Sequence, residues 1–266
     1  MTNTPADRNT GKLPLSAVFI TLNAASQLEA ALQSVQFCDD LVVVDSGSTD
    51  GTLELAARYG ARVFQQEWIG FGPQKQHAVQ LAKFDWVLCL DADEQISQPL
   101  QVEIEALFAQ QSPTAQGYDM PRCNYFLGRY LRHGEGYPDF SRRLFNRQHA
   151  SWSADLVHEK IEIKAGAVFE RLRGDIIHDS AETLNSYLAK QNRYTSIQAE
   201  ALAQRGKWPG VAKLVLSPMV RFVKFYVFRQ GFRDGWAGFV HISIGCFNSF
   251  MKYAKTRELM IRNRNK

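Results

Sequence analysis

Three groups of polar side chains each follow an apolar run of the sequence, where their chemistry would meet a ligand. The first run ends in Ile20-Thr-Leu-Asn23, the second in Asp45-Ser-Gly-Ser-Thr-Asp-Gly51, and the third in Leu90-Asp-Ala-Asp-Glu94. In an open parallel sheet, ligands bind beyond the carboxyl ends of the strands. The three groups are therefore predicted to line one polar crevice.

The third group has the most informative spacing. Asp91 and Asp93 lie one residue apart, directly after the apolar run of residues 86–90. Two carboxylates at the mouth of a strand offer hard oxygen ligands to Mg²⁺ or Mn²⁺, which keep open positions for diphosphate oxygens. The alternative is a solvated turn with an acidic helix cap. The preceding apolar run favours the metal site.

Two further features suit a nucleotide. Asp45 ends an apolar run, so its buried carboxylate needs a hydrogen-bonding partner, such as a base or ribose. A helix cap or Asx-turn is the alternative, and it fits Asp50 better. Gly70-Phe-Gly-Pro-Gln-Lys75 precedes a predicted helix, whose N-terminal amides and Lys75 suit phosphate. The sequence has no GxGxxG or GxxxxGK[ST] motif, so dinucleotide-binding Rossmann and P-loop proteins lack support.

The elements that position these groups alternate between strand and helix. Residues 16–22, 41–45 and 86–90 are predicted strands, and a capping box at residues 26–29 predicts the start of the first helix. This alternation predicts a parallel α/β sheet. From residue 117 to about 178 the segments become short and punctuated by Gly and Pro, which predicts an antiparallel or mixed extension.

The C-terminal segment differs from the rest in charge. Residues 205–266 hold 13 basic and two acidic side chains and 11 of the 31 aromatic residues, whereas residues 1–204 carry a net charge of −7. Basic and aromatic residues together suit an anionic surface, either membrane or nucleic acid. Two apolar stretches in this segment favour helices that lie in a membrane interface over a spanning helix. A helical layer packed on the sheet is the alternative.

Overall composition excludes several protein classes. With 45% hydrophobic and 22% charged residues in 266, the chain is neither disordered nor collagenous. Its four cysteines form no CxxC pair and no zinc-type spacing, which indicates a reducing compartment without a structural metal. The N-terminal residues lack the apolar stretch of a secretory signal, so a cytoplasmic location is predicted.

The three strand-end motifs, in this order and spacing, resemble the nucleotide-sugar half of family-2 inverting glycosyltransferases over about residues 15–110. Gly70-Phe-Gly-Pro-Gln-Lys-Gln76, Val157-His-Glu159 and Gly231-Phe-Arg-Asp-Gly-Trp-Ala-Gly238 further resemble the WaaE/KdtX-type lipopolysaccharide inner-core β-1,4-glucosyltransferases. The likeness thus extends along nearly the whole chain.

This resemblance implies a GT-A fold, with a Rossmann-like, mostly parallel sheet flanked by helices. It also implies a UDP-sugar donor, a divalent metal (Mg²⁺ or Mn²⁺) and inversion at the anomeric carbon. Many relatives have a second Asp where this chain has Ser46, so a contact from Ser46 is not carried over. By family pattern the donor-binding residues are Thr21, Asn23, Asp45, Lys75, Asp91 and Asp93, with Asp93 and Asp91 at the metal.

Inversion by direct displacement needs a carboxylate that accepts the proton of the acceptor hydroxyl. Glu159 is the first candidate for this base and Asp139 the second, with ordinary surface roles as the alternative. His158 positions Glu159, contacts the acceptor or is a core histidine.

Three arginines follow one another closely in the predicted acceptor half. Arg142, Arg143 and Arg147 suit phosphate, either on the donor or on a phosphorylated lipid acceptor. A solvated strand edge is the alternative reading of this segment.

We therefore predict a GT-A domain over residues 1–204, divided at about residue 110 into nucleotide-sugar and acceptor halves, and a membrane-associating helical extension over residues 205–266. The predicted activity moves a hexose, glucose first, from UDP-sugar to a heptose of the lipid-linked lipopolysaccharide core. The predicted place is the cytoplasmic face of the inner membrane.

Two other functions compete with this one. A family-2 transferase acting on polyprenyl phosphate or another surface polysaccharide is the nearest alternative, and a non-catalytic nucleotide- or sugar-binding module at the membrane is another. Nucleic-acid binding is disfavoured, because residues 1–204 are acidic and no recognition motif is present.

Overall fold

The computed structural model describes residues 11–109, 113–155, 159–206 and 208–264. The chain forms two compact units. The first runs from the start of the described chain to Arg122 and resumes over Phe140–His178. The second comprises Cys123–Asp139 and the chain from Asp179 onward. Each unit is described separately below.

The first unit begins with alternating strands and helices, as predicted. Strands β1, β2, β3 and β4 are parallel and lie in the order β3-β2-β1-β4. Thr21 of β1 is in register with Asp45 of β2, and Ile20 with Asp91 of β4, so the three polar groups lie at one edge of the sheet. The elements are β1 (Leu13–Thr21), α1 (Ala25–Ser34), β2 (Cys38–Asp45), α2 (Thr52–Arg58), β3 (Arg62–Gln65), α3 (Phe71–Gln80) and β4 (Trp86–Asp91).

The remaining strands add the predicted mixed extension. Strand β8 pairs antiparallel with β4, and β5 pairs antiparallel with β12. The bounds are β5 (Glu94–Ile96), α4 (Gln98–Ala109), β6 (Gly117–Phe126), β7 (Arg129–Tyr130), β8 (Asp139–Asn146), β9 (Ala150–Trp152), β10 (Ile161–Ile163), β11 (Phe169–Arg171) and β12 (Ile176–His178). Strand β7 and the end of β6 belong to the second unit.

The central strands are buried on both faces, as expected for a parallel sheet covered by helices. Phe19 and Leu88 pack in one apolar cluster, whereas Val18 and Val87 pack in another. Neighbouring residues of a strand point to opposite faces, so the two clusters cover the two sides of the sheet.

The start of α1 differs from the prediction. Ser26 lies inside the helix, whose N-cap residue is Ala24 without a side-chain cap, so the capping box is wrong. Instead, the loop after β2 supplies the acceptors: Ala24 N–H donates to Thr52 Oγ1 (2.9 Å) and Ala25 N–H to Asp50 Oδ2 (3.1 Å). A tertiary contact has replaced the local one.

The second unit is mainly helical. Helices α5 (Leu184–Gln204) and α6 (Val211–Phe222) both pack against α7 (Gly235–Arg264), and a π-helical segment (Val223–Phe228) and a 3₁₀ turn (Gly231–Asp234) connect α6 to α7. Because α5 packs on α7, the division of the chain into units falls at Asp179, before α5, whereas the sequence prediction placed it at residue 205. Within the described residues, no helix combines the length and apolar character needed to cross a membrane.

The segment Gly231–Gly238 is explained by packing in the second unit. Asp234 is buried and accepts hydrogen bonds from the N–H groups of Arg132 (3.0 Å) and His133 (2.8 Å). A Cβ at Gly231 would lie 2.2 Å from Ile242 Cδ1, and a Cβ at Gly238 would lie 2.4 Å from the Gly231 carbonyl oxygen. Glycine at these two positions therefore permits the 3₁₀ turn and the start of α7 to pack closely.

Candidate active site

Asp45 closes β2 with a fully buried carboxylate. It accepts hydrogen bonds from Thr21 Oγ1 (2.8 Å), from the N–H groups of Gly47 (2.9 Å) and Ser48 (2.7 Å), and from the Ser48 hydroxyl. Burial alone would raise the pKa of Asp45, but these hydrogen bonds outweigh it and lower the pKa below its ordinary value. The hydrogen-bonding partners that this buried carboxylate needs are thus Thr21 and the loop after β2. Contact between Asp45 and a nucleotide stays a prediction.

Asn23 joins the loops after β1 and β2. It adopts a left-handed backbone conformation (φ 51°), its N–H donates to Ser48 Oγ (2.8 Å), and its Oδ1 accepts from the Thr49 N–H (2.8 Å). Ser46, the position of a second Asp in many relatives, accepts instead from Gln74 Nε2 (3.1 Å). The two loops and the start of α3 thus form one hydrogen-bonded rim.

Asp91 lies at the end of β4 between two cationic side chains. Lys75 Nζ is 2.9 Å from its Oδ1 and Arg143 Nη2 is 2.7 Å from its Oδ2. Burial would raise the pKa of Asp91, but Arg143 and Lys75 hold it well below the ordinary carboxyl value. Glu94 completes the cluster, because it accepts from the Asp91 N–H (3.0 Å) and from Arg143 (2.7 Å).

Lys75 connects this cluster to Glu159. Its Nζ lies 2.8 Å from Glu159 Oε1 and 4.9 Å from the ring centroid of Trp152, and the side chain is almost completely buried. A lysine held by two carboxylates and an aromatic face has a fixed position. One ammonium group therefore couples the end of β4 to the segment that carries Glu159.

Glycines at the start of α3 allow this helix to pack closely against residues 153–155, which brings Lys75 near Glu159. Gly70 has a left-handed φ of 101°, and a Cβ at Gly72 would lie 2.2 Å from the Ser153 carbonyl oxygen. The Gly72 N–H donates to the Asp155 carbonyl (3.2 Å), and Pro73 has no N–H. The prediction that the N-terminal amides of this helix bind phosphate is therefore wrong for Gly72, because its N–H already donates to the Asp155 carbonyl.

A polar pocket of about 460 Å³ adjoins the cluster. Its charged lining residues carry both signs, and two aromatic side chains give it flat apolar surface, a combination suited to a saccharide with anionic substituents. The described lining residues are Asp119, Phe140, Ser141, Arg142, Arg143, Trp152, Glu159, Lys160 and Ile161.

The three predicted arginines have different environments. Arg142 forms a bidentate pair with Asp119 (2.8 and 3.2 Å), and Arg143 is 5% exposed within the Asp91 cluster. Both line the pocket, on a strand that lies inside the sheet, so the strand-edge alternative does not hold. The grouping is wrong for Arg147, which follows β8 and donates to the Ala82 carbonyl (2.8 Å) near the end of α3.

Asp93 lies next to a residue that the sequence analysis did not assign. His178 Nε2 is 3.2 Å from Asp93 Oδ2, because β12 pairs with β5 and brings His178 opposite Glu94. The Asp93 carboxylate suits Mg²⁺ or Mn²⁺, which bind through few protein ligands and complete their coordination with phosphate and water, and the imidazole beside it favours Mn²⁺ over Mg²⁺. Within the described residues no group of three or more ligating side chains occurs.

The other predicted residues have separate outcomes. Glu159 lines the pocket beside Lys75. Asp139 belongs to the second unit, and its role as a base stays a prediction. His158 lies outside the described residues. Sequence reasoning missed the roles of Glu94, Trp152 and His178 in these clusters.

Known proteins with similar sequences include glycosyltransferases. The family described as "Glycosyl transferase family 2" matches residues 16–161. The chain is 31% identical to the lipopolysaccharide core biosynthesis glycosyltransferase LpsC of Rhizobium meliloti, over 92% of each protein. It is 32% identical to an uncharacterised glycosyltransferase of Rickettsia bellii, over 93% of this chain and 87% of that one.

Among solved structures, TarS 1–349 of S. aureus in complex with UDP aligns with a TM-score of 0.47 and 13% identity, over 94% of this chain and 91% of that one. The family match spans more than half of the sequence, and the LpsC alignment covers nearly all of it. The chain therefore belongs to glycosyl transferase family 2, with the GT-A fold that the family resemblance implies.

Proposed function

We propose that this glycosyltransferase moves a hexose, with glucose as the first candidate, from a UDP-sugar to a heptose of the lipid-linked lipopolysaccharide inner core. The similarity to LpsC, named for lipopolysaccharide core biosynthesis, supports the acceptor class. The observation that carries the mechanism is Lys75, which bridges Asp91 at the strand ends and Glu159 in the pocket. Donor and acceptor chemistry would meet at this lysine.

The donor half of the proposal rests on the rim formed by the loops after β1, β2 and β4. The Asp45 loop is held rigid by hydrogen bonds from its own backbone, so it offers a preformed surface to the uridine. Asp93 and His178 would hold the divalent cation. When bound, such a cation stabilises the negative charge of the leaving diphosphate. The side chains of Lys75 and Arg143 already neutralise Asp91, which favours Asp93 as the first metal ligand.

Glu159 is the proposed base. The ion pair with Lys75 orients its carboxylate along the wall of the pocket. Glu159 accepts the proton of the acceptor hydroxyl while that oxygen forms a bond to the anomeric carbon of the donor. The bond from this carbon to the diphosphate oxygen breaks, UDP leaves with the electron pair, and the configuration inverts. Arg142 and Lys160 line the same pocket, where phosphate groups of a core acceptor would find cationic partners.

Calorimetric titration of UDP tests the donor site. We expect Mn²⁺ to strengthen UDP binding to the wild type, and we expect Asp93→Ala or His178→Ala to remove that gain, by about tenfold or more, because a metal ligand is lost. Asp39→Ala is the matched control, since Asp39 is another ion-paired acid of the first unit, bound to Lys83. Equal Mn²⁺-dependent affinity in Asp93→Ala would refute the metal role. Absence of UDP binding throughout would refute the donor assignment.

A second assay identifies the substrates. Release of UDP is measured from UDP-glucose, UDP-galactose and UDP-N-acetylglucosamine, each with a heptose-terminated core acceptor or with polyprenyl phosphate. Acceptor-dependent release from UDP-glucose with the core acceptor is the expected result. Turnover with polyprenyl phosphate alone would select the alternative transferase, and UDP binding without release in any combination would indicate a non-catalytic module.

A further inference from the structure

Helix α6 presents an apolar surface to solvent. Val211, Val215, Leu216, Met219 and Val220 are each more than half exposed, at 51–64%. At 100° per residue these side chains fall within an arc of about 180°. The opposite side of the helix packs on α7, where Ser217 contacts Ser249 (2.8 Å between hydroxyl oxygens). The helix is therefore amphipathic, with an apolar side left uncovered in the folded unit.

Aromatic residues that follow α6 in the chain are also exposed. Phe228, at the end of the π-helical segment, is 78% exposed, and Trp236, in the first turn of α7, is 64% exposed. Burying such side chains is worth about 1.5–3 kcal/mol each, so leaving several exposed together is unusual unless they bind something. We call the five α6 residues together with Phe228 and Trp236 the α6 surface.

The charge around the α6 surface is mostly positive. Lys213 and Lys224 are exposed and lie at the border of the apolar arc, and Arg229 and Arg233 follow near Phe228. Of the two acidic residues in 205–266, Asp234 is buried and Glu258, on α7, is paired with Arg262. A partner that covers this surface must therefore be apolar inside and anionic at its border.

A lipid bilayer with anionic headgroups meets both conditions. A second copy of the chain does not, because it would bring the basic borders together and like charges oppose such pairing. Aromatic side chains beside Lys and Arg are typical of the membrane interface. Within the described residues no helix is suited to span a membrane, which leaves an orientation in the plane of the interface.

We propose that the α6 surface docks the enzyme on an anionic lipid bilayer, with α6 in the plane of the interface and Lys213 and Lys224 at the level of the headgroups. This binding is independent of the donor and acceptor assignments above. For the lipid-linked acceptor proposed above, this docking would bring the transferase to its substrate.

Vesicle flotation with the full chain tests the proposal. The vesicles are phosphatidylcholine alone or phosphatidylcholine with about 30% phosphatidylglycerol, which supplies anionic headgroups. We expect binding only to the anionic vesicles, with at least a tenfold loss in Leu216→Asp/Val220→Asp. Val102→Asp/Val168→Asp is the matched control, because these two valines of the first unit are similarly exposed, at 54% and 55%. Thermal unfolding and UDP binding serve to establish that each variant is folded.

A second variant separates the charge contribution. Lys213→Gln/Lys224→Gln should weaken anionic vesicle binding severalfold and reduce its dependence on salt, because each basic residue near the surface contributes about 1 kcal/mol. Unchanged flotation of folded Leu216→Asp/Val220→Asp, or equal loss in the valine control, would overturn the proposal. So would a wild-type dimer or a complex with an acidic protein that the α6 substitutions abolish while vesicle binding persists. UDP binding that fails in the wild type would count against the donor site alone.

Discussion

The two units depart from the usual separation of apolar interior and polar surface in opposite ways. The first buries charge: Lys75, Glu94 and Arg143 are each at most 6% exposed. The second leaves apolar side chains in solvent, as at Leu216 and Val220. Buried charge is costly unless it is paired, and exposed apolar area loses the stabilisation that burial provides. The buried charges and the exposed apolar side chains each lower stability relative to the usual arrangement, so each indicates a site for a binding partner.

The units also differ in how they satisfy these groups. In the first unit the charged groups neutralise one another through short contacts, and among the described residues the buried Arg143 Nε has no hydrogen-bond partner. In the second unit, none of the described residues covers the α6 surface. The comparison predicts that substitutions in the first unit have large effects on activity and stability. Substitutions in the second unit should have smaller effects that depend on solution conditions such as pH.

Glu159→Gln should have the largest effect. Loss of a general base lowers the rate of transfer by about 10²–10⁴-fold. The amide retains the shape of the side chain, so UDP affinity should change much less than the turnover rate. The measurement is acceptor-dependent UDP release at saturating donor, with UDP affinity determined in parallel.

Asp139→Asn is the natural counterpart, because Asp139 is the other predicted base and belongs to the second unit. We expect its turnover to stay within about threefold of wild type, against the large loss that removal of a base causes. The reverse ranking of the two variants would transfer the base to Asp139 and remove the role of the Lys75 bridge.

Arg143→Met should be the most destabilising single change in the charge cluster. It leaves Asp91 and Glu94 without their shared guanidinium, and breaking a buried ion pair costs about 3–5 kcal/mol. Urea unfolding measures the free energy of unfolding. Arg142→Met is the control on the same strand: its pair with Asp119 is partly exposed, so a loss of about 1 kcal/mol or less is expected.

The double variant Arg143→Met/Glu94→Gln sharpens this test. Removing one of the uncompensated carboxylates should recover part of the stability that Arg143→Met loses, because less unpaired charge stays buried. Strictly additive losses would show that Arg143 acts through packing against Trp152 and not through its charge.

The sheet and its functional edge were predictable from the sequence. Apolar runs that end in Asn23, Asp45 and Asp91 determine both the strands and the edge at which their polar residues meet, since parallel strands align their carboxyl ends. Local patterns were less reliable at the helix starts. The capping box of α1 failed because Asp50 and Thr52, distant in sequence, provide the acceptors.

The partners within the site were not predictable in the same way. His178 lies opposite Glu94 only through the pairing of β12 with β5, and no local pattern encodes that antiparallel pairing. Glu94 had a weak signal, an acid directly after the two aspartates and at the start of a buried strand. Residues that line a strand end could be named from sequence, whereas their partners depend on the assembled sheet.

A pH-dependent effect is predicted for His241 in the second unit. Burial lowers its pKa to about 4, assisted by Arg221 and opposed by Asp234, and the ring packs edge-on against Phe126 (5.2 Å between centroids). Between pH values of about 6.5 and 4 the unfolded chain binds a proton that the folded chain does not. The free energy of unfolding should therefore fall as the pH falls through this range, by up to about 3 kcal/mol.

His241→Phe tests this linkage, because it keeps an aromatic ring and removes the titrating group. Its advantage over wild type should grow as the pH falls from about 6.5 to 4, measured by urea unfolding at several pH values. Phe126→Leu removes packing at the same contact and keeps the imidazole, so it should lower stability while preserving the wild-type slope. A slope that is equal in His241→Phe and wild type would assign the pH dependence to carboxylates of either unit, which lose their charge at lower pH. In that case His241 would contribute packing alone, and the pH-dependent stability would come from carboxylates with lowered pKa values, such as Asp45 and Asp91.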